Sequence, residues 1–374
     1  MITTLKIKII PTKEQQLNIL ATMKLFSQVC NRISELSWNN RNYKKFNIHK
    51  EFYYQVRDEF PKAGSQLIIK AIANVAGDMA REKKQHKYKE LSALKIDKRL
   101  YTVSNKNTLS LYTITGRISI SIILTKYIMK VLYTNAKQAE IILDRSTSQL
   151  YFLVAIETKE KEAYQIKKFL GVDKGIVNIA TTSDGQNFSG EIVDKVRKKY
   201  RVFRAKLQKC GSKSAKRRLT KIRRKESRFK KDLNHCISKK IVQSAEGTDS
   251  TIVLEDLTGI TKSVTVTRAQ RARFKGWSFF QLDSFIGYKA QRAGVPVLKI
   301  DPHYTSQQCP CCDSISKANR KVRDIFKCIS CGFIDDADFV AAWNIKNRGA
   351  VKSGLKPVRL EVNHPIVGTD QASA

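Results

Sequence analysis

Two cysteine pairs and three separate acids are the residues of this chain whose types and spacing could do chemistry. Cys309 and Cys312 are spaced C-x-x-C, as are Cys328 and Cys331, and 15 residues (313–327) lie between the pairs. Two such pairs can close a tetrahedral thiolate site on two short knuckles, the usual arrangement of a structural Zn²⁺. Gly332 follows the last cysteine, where a tight knuckle asks for positive φ. Cys311 leaves one ligand open, although spacing favours Cys309 and Cys312. A pair of disulfides is the competing reading. The acids are Asp173, in the apolar run 169–180, Glu255, near the end of the apolar run 250–257, and Asp338, after Asp335, Asp336 and Ala337. A carboxylate buried among apolar residues costs on the order of a few kcal/mol unless it is paired or metal-bound. Taken singly, each acid has a plainer role. Asp173 and Glu255 could face water at strand ends, and Asp338 could cap the helix that 338–345 predicts.

The elements around the acids argue for reading them together. The run 169–180, the Asp184-Gly185 turn, a long basic helix, the strand 250–257, an amphipathic helix over 276–292 and a strand over 295–301 follow in order. Pro296 marks the last strand as an edge. This is the order of an RNase H-like fold, in which acids at strand ends meet at one edge of the sheet. Three gathered carboxylates repel unless cations neutralise them. Two Mg²⁺ ions about 4 Å apart would do so, activate a water and stabilise the leaving oxygen of a phosphodiester. Hard Mg²⁺ suits carboxylates, as Zn²⁺ suits the thiolates.

Charge points to the partner. The 374 residues carry 70 Lys+Arg against 33 Asp+Glu, a formal net charge of +37, with a pI near 10.0. Such a balance implies a polyanion, nucleic acid first. Residues 195–240 hold 21 Lys+Arg and two acids, Glu226 and Asp232. Leu219, Ile222, Phe229, Leu233, Ile237 and Ile241 recur there at helical steps, and Gly211 separates a preceding basic helix. Arg201, Arg204, Arg217, Arg218, Arg223, Arg224 and Arg228 are the candidates for gripping phosphate. No apolar run reaches the ~20 residues of a membrane-spanning helix, and the start alternates like a strand, unlike a secretory signal. The expectation is a cytoplasmic, nucleoid-associated protein with reduced thiols, Cys30, Cys210 and Cys236 being buried small apolar residues.

The first half is differently patterned. Residues 3–10 alternate as a strand, Thr12 and Gln15 have capping-box spacing, and Ile19, Met23, Phe26, Cys30 and Ile33 mark one helical face. Further helices are predicted over 49–57 and 65–84. Residues 109–123 and 149–156 read as antiparallel strands, with a turn at Gly116. The simplest arrangement is a small β-barrel whose first strand is separated from the rest by an inserted helical block. A charged linker over 158–168 closes this half. A loose tail is expected over 349–374.

In order and combination, several stretches resemble the TnpB family of insertion-sequence proteins, relatives of type V CRISPR effectors. They are residues 5–15, Gly171-Val-Asp-Lys-Gly175, 234–240, Val253-Leu-Glu-Asp-Leu257, 281–290, Asp301-Pro-His-Tyr-Thr-Ser306 and 309–345. The chain departs from the family pattern at Val340, where asparagine usually precedes the paired alanines, at Asp313, where glycine is common, and in the additional Cys311. The resemblance implies an α+β multidomain protein: a wedge β-barrel (1–10 and 97–160), a helical recognition domain (11–96), a RuvC-like nuclease domain (166–303 and 333–348) and an inserted zinc ribbon (304–332). It places the catalytic acids at Asp173, Glu255 and Asp338. It also implies a guide RNA from the transposon end, a double-stranded DNA target beside a short motif, and Mg²⁺-dependent cutting. A guided repressor without catalysis and a DNA-binding transposase accessory protein are the alternatives.

Overall fold

The structure, a computed structural model, describes residues 2–104, 107–125, 128, 136–145, 147–158, 160–222, 225–257 and 279–361. Arg223 and Arg224 lie outside the described residues, as do 362–374 of the expected tail. The chain forms two units, 1–159 and 160–374.

The first unit begins with strand β1 (Ile2–Ile10), followed by helices α1 (Lys13–Asn39), α2 (Lys45–Glu59) and α3 (Ser65–Glu82). Both capping-box bonds at Thr12 and Gln15 form. Six strands follow: β2 (Leu94–Ile96), β3 (Tyr101–Ser104), β4 (Thr108–Thr113), β5 (Gly116–Ile122), β6 (Ala136–Asp144) and β7 (Gln149–Glu157). Gly116, at φ 103°, opens β5 after a two-residue turn. The sheet order is β2-β6-β7-β1-β5-β4-β3. β1 pairs with β7 through residues 2–8 and with β5 through Ile9 and Ile10, so the sheet curls around it. The result is a half-barrel, not the closed barrel expected. Its end strands β2 and β3 have three and four residues, and α1 and α3 pack beside β2. One core joins sheet and helices through Ile7, Phe26, Ile68, Val75 and Phe152.

The second unit is built on a five-stranded sheet ordered β10-β9-β8-β11-β12. These strands are β8 (Lys168–Asp173), β9 (Asn178–Thr182), β10 (Asn187–Ser189), β11 (Ser250–Glu255) and β12 (Val297–Ile300). The run 169–180 is therefore two strands, with 174–177 turning the chain back. β8, β11 and β12 are parallel, while β9 runs antiparallel to β8 and β10 antiparallel to β9. β12 stands at the edge, as Pro296 predicts. Between β10 and β11 come α4 (Glu191–Cys210), α5 (Lys213–Ile222) and α6 (Lys225–Gly247). Gly211, at φ 63°, ends α4. Helix α7 (Phe279–Ala293) precedes β12.

Strand alternation sorts the residues of this sheet between two layers. Leu170, Val172, Ile252 and Leu254 pack with Ile237, Ile241, Leu282 and Ile286 of α6 and α7. Phe169 and Val253 pack with Ile345 and Ala350 of the last helix, α8 (Ala337–Lys352). By parity Gly171, Asp173 and Glu255 belong to the α8 face. α8 lies so close that a Cβ on Gly171 would stand 2.0 Å from the carbonyl oxygen of Ala342. Glycine is required there for the helix to seat.

Residues between β12 and α8 form a small unit with a 3₁₀ turn (Lys317–Arg320) and the two-stranded ladder β13 (Ile325–Lys327) and β14 (Ile334–Asp336). The expected loose tail is ordered at its start. α8 runs to Lys352, and Leu360 is buried against Cys309, Phe326 and Phe333. The Leu360 amide donates to the Pro310 carbonyl at 3.2 Å, and Trp343 Nε1 donates to the Val358 carbonyl at 3.0 Å. Cys30 is buried as expected, but Cys210 and Cys236 are exposed, each on a polar face of its helix.

Candidate functional site

β8 and β11 run parallel in a register that pairs Val172 with Leu254. The next residues, Asp173 and Glu255, therefore stand side by side at the carboxyl ends of adjacent strands, which lie about 4.8 Å apart. α8 crosses this face with Asp338 in its first turn. Asp338 does not cap the helix. Asp336 does, its Oδ1 accepting from the amides of Asp338 at 3.0 Å and Phe339 at 2.8 Å. The Asp338 carboxylate is turned to other work. Its Oδ2 accepts from Asn178 Nδ2 at 3.0 Å and its Oδ1 from Arg320 Nη2 at 2.9 Å. Asp336→Ala is expected to lower unfolding free energy by about 1 kcal/mol, the worth of an N-cap, read from the denaturant midpoint.

Asp173 feels the other two acids. Asp173 keeps some accessible surface, but desolvation of its carboxyl and the charges of Glu255 and Asp338 push its pKa up to about 8, against the pull of Arg320. Burial also raises that of Glu255, opposed by the Thr305 hydroxyl and by Lys174 and Arg348. Thr305 Oγ1 donates to Glu255 Oε1 at 2.6 Å. Lys174, its side chain fully buried, donates to both oxygens of Asp283 on α7 at 2.7 and 2.9 Å and to the Glu255 carbonyl at 3.3 Å. Lys174 thus ties the end of β11 to α7 while adding a positive charge beside the acids. Oxygen donors of clustered, buried carboxylates fit a hard divalent cation. Spacing and periodicity gave no sign of Asn178, Thr305, Asp283 or Arg320.

The cysteines form the second site. Among the described residues, Cys309, Cys312, Cys328 and Cys331 are the set of metal-ligating side chains whose donor atoms all lie within 4.8 Å of one another. The acid trio is not gathered that tightly. Cys309–Cys331 and Cys312–Cys328 Sγ separations are both 3.6 Å. Four sulfurs at 2.3 Å from one zinc would stand about 3.8 Å apart, whereas a disulfide needs about 2.05 Å. The set therefore fits one tetrahedral ion, and all eight cysteines are free thiols. Cys311 is outside the set and packs against the cluster instead. Burial raises the Cys309 thiol, while at Cys328 the amides of Cys331 and Ser330 outweigh burial and bring it to about 7. Gly332 (φ 76°) and Asp313 (φ 61°) each follow the second cysteine of a knuckle in the same left-handed conformation. Asp313 tolerates it, as aspartate does better than most residues, and is held by Arg359 at 2.6 Å.

Of the seven candidate arginines, Arg201, Arg217, Arg218 and Arg228 are exposed on α4, α5 and α6. Arg204 is instead paired with Glu226 at 2.9 Å. Ala215, Ile222, Phe229, Leu233, Ile237 and Ile241 face inward, which leaves the basic side chains outward.

Two family models match the chain: the "Cas12f1-like, TNB domain" over 279–345 and OrfB_IS605, "Probable transposase", over 151–259. The CRISPR-associated endodeoxyribonuclease Cas12f1 of Sulfoacidibacillus thermotolerans is 42% identical over 130 residues, 34% of this chain and 29% of that protein. The TnpB-like protein MJ0751 of Methanocaldococcus jannaschii is 34% identical over 122 residues, 32% of this chain and 43% of that protein. The "Putative RNA-guided DNA endonuclease InsQ" of Escherichia coli is 27% identical over 273 residues, 63% of this chain and 66% of that protein. The matched stretches thus span less than half the length of the first two relatives. A cryo-EM structure of a Cas12f1–sgRNA–target DNA complex aligns over 93% of this chain and 100% of that one, at 17% identity and a TM-score of 0.40.

Proposed function

Because the chain belongs to the TnpB (IS605 OrfB) family, we propose that it is an RNA-guided DNA endonuclease of a transposable element, cutting by phosphodiester hydrolysis at Asp173, Glu255 and Asp338. What supports this reading is that Asp173 and Glu255 end adjacent parallel strands on the face α8 covers, with Asp338 in the first turn of α8 and the Asp173 carboxyl pushed up to about 8 by burial and by the other two acids. Residues 166–303 and 333–348 would be the RNase H-like, RuvC-like domain, 304–332 its inserted zinc ribbon, and the first unit the wedge and recognition domains. One Zn²⁺ on the four cysteines would be structural.

Asp173, Glu255 and Asp338 would hold two Mg²⁺ ions, which when bound supply an activated water and neutralise the departing oxygen. The remaining work belongs to side chains already in place. Thr305 fixes the Glu255 rotamer, Lys174 holds that strand end, and Asn178 orients Asp338. Arg320 neutralises Asp338 and would be available to a substrate phosphate once cations balanced that carboxylate. Arg201, Arg217, Arg218 and Arg228 would grip backbone phosphates, while pairing with a guide from the transposon end would read sequence and the protein would read a short adjacent motif. Among the described residues no helix is long and apolar enough to cross a membrane. A cytoplasmic, nucleoid-associated location accords with the charge.

The test is to purify the chain from cells, sequence the RNA that travels with it and offer matching DNA in Mg²⁺. A discrete RNA and cutting of the matched target are expected. Heterogeneous RNA, with no cutting beside any adjacent motif, would leave the guided reading without support. DNA affinity is expected to fall by about three decades between 50 and 200 mM salt, as for roughly six neutralised phosphates. A flat salt profile would remove α4–α6 from the nucleic-acid interface.

A further inference from the structure

Tyr304 is the residue whose conformation and exposure neither the turn nor the core explains. It lies in the left-handed region at φ 61°, where a bulky side chain is a true outlier. The residue is nevertheless 54% exposed. The conformation is imposed on both sides. The Tyr304 carbonyl accepts from the amides of Gln307 and Gln308, each at 3.0 Å, and Asp301 Oδ1 accepts from the amide of His303 at 3.0 Å. Glycine or asparagine would occupy this position with less strain. A core position would bury the ring.

The neighbour on the C-terminal side gives the ring a use. Thr305 is buried, and its hydroxyl is the one that holds Glu255 at 2.6 Å. The exposed tyrosine is therefore one residue from the group that fixes an acid of the site, on a turn locked to it. The His303 ring is also exposed and lies 6.2 Å from that of Tyr304, tilted by 54°. Two aromatic rings thus stand in solvent on the turn whose next residue holds Glu255. Strain kept in place by surrounding bonds clusters at active sites and ligand clamps.

We propose that Tyr304, with His303 beside it, is a stacking platform for a nucleobase next to the phosphate being cut. The inference rests on the nuclease reading and adds a substrate-positioning residue to it. Stacking accepts any base, because every base has a π face, so the platform would orient the strand without selecting its sequence.

A single-stranded DNA carrying one 5-iodouracil, irradiated with the full-length protein in Ca²⁺, is expected to crosslink to Tyr304, with the site read by peptide mass spectrometry. Tyr304→Gly, which relieves the backbone while removing the ring, is expected to raise KM for Mg²⁺-dependent cutting about tenfold at little change in kcat, with Tm unchanged or higher. Tyr304→Phe, which keeps the ring, is expected to restore KM. Cutting by the parent chain with no crosslink at Tyr304 and an unaltered KM in Tyr304→Gly would overturn the platform and leave the nuclease standing. A crosslink at Tyr304 in a protein that cuts nothing would retain the base contact and sink the nuclease reading instead.

Discussion

Asp173→Asn is expected to reduce metal-dependent DNA cutting by more than about a thousandfold, the loss expected when a ligand of a charge-stabilising metal pair is removed. The same variant is expected to be more stable than its parent in Mg²⁺-free buffer at pH 8. Linkage sets the sign. The Asp173 carboxyl rises from its ordinary 3.8 to about 8 in the folded chain, so between these values the folded state holds a proton that the unfolded state releases. Stability from this group is fully present below pH 4 and is lost as pH climbs through 8. Asparagine does not ionise and removes that loss. The Tm gap between variant and parent should therefore widen from pH 5 to pH 8 and narrow when Mg²⁺ is added. Cutting at the parental rate would take Asp173 out of the chemistry. A gap independent of pH would show that its carboxyl is not set among the other acids.

Loss of the four-cysteine site, proposed to hold zinc, is expected to cost nearly as much activity without touching a carboxylate. In Cys328→Ser the ribbon loses a ligand of a site whose metal contributes about 10–16 kcal/mol to the folding of such small units. What remains is a slight core of Phe326, Phe333, Ala337, Val340 and Leu360, too small to hold the knuckles alone. Two groups that act on Asp338 arrive through this unit: Arg320 from the 3₁₀ turn and the Asp336 cap from β14. Zinc content by mass spectrometry, hydrogen exchange over 309–336 and cutting rate should fall together. A zinc-free variant with parental exchange and parental cutting would show that the ribbon folds and serves without metal.

Much of this arrangement is legible in the sequence because it is local. The capping box at Thr12 and Gln15, the turn at Gly116, the C-x-x-C knuckles and the two strands ending in acid each leave a trace within a few residues. Parity along β8 and β11 then carries Asp173 and Glu255 to one face, a consequence of period two that no competing interaction overrides. Partners supplied from afar leave no such trace. Asn178 reaches Asp338 across 160 residues, Lys174 reaches Asp283 across 109, and Thr305 reaches Glu255 across 50. Competition among neighbours hides the rest. Three aspartates at 335, 336 and 338 all suit a helix start, and backbone geometry, which composition does not encode, gives the cap to Asp336. The half-barrel reads as a closed barrel because alternation specifies strands and not whether the end strands meet.

The docking of Val358 on α8 and of Leu360 on the first knuckle bears on how the protein is handled at the bench. An affinity handle, fluorescent fusion or stop codon introduced before Val358 would pull away the residue that covers Pro310 and the pair that Arg359 makes with Asp313. Cargo joined after Leu360 would leave these contacts in place.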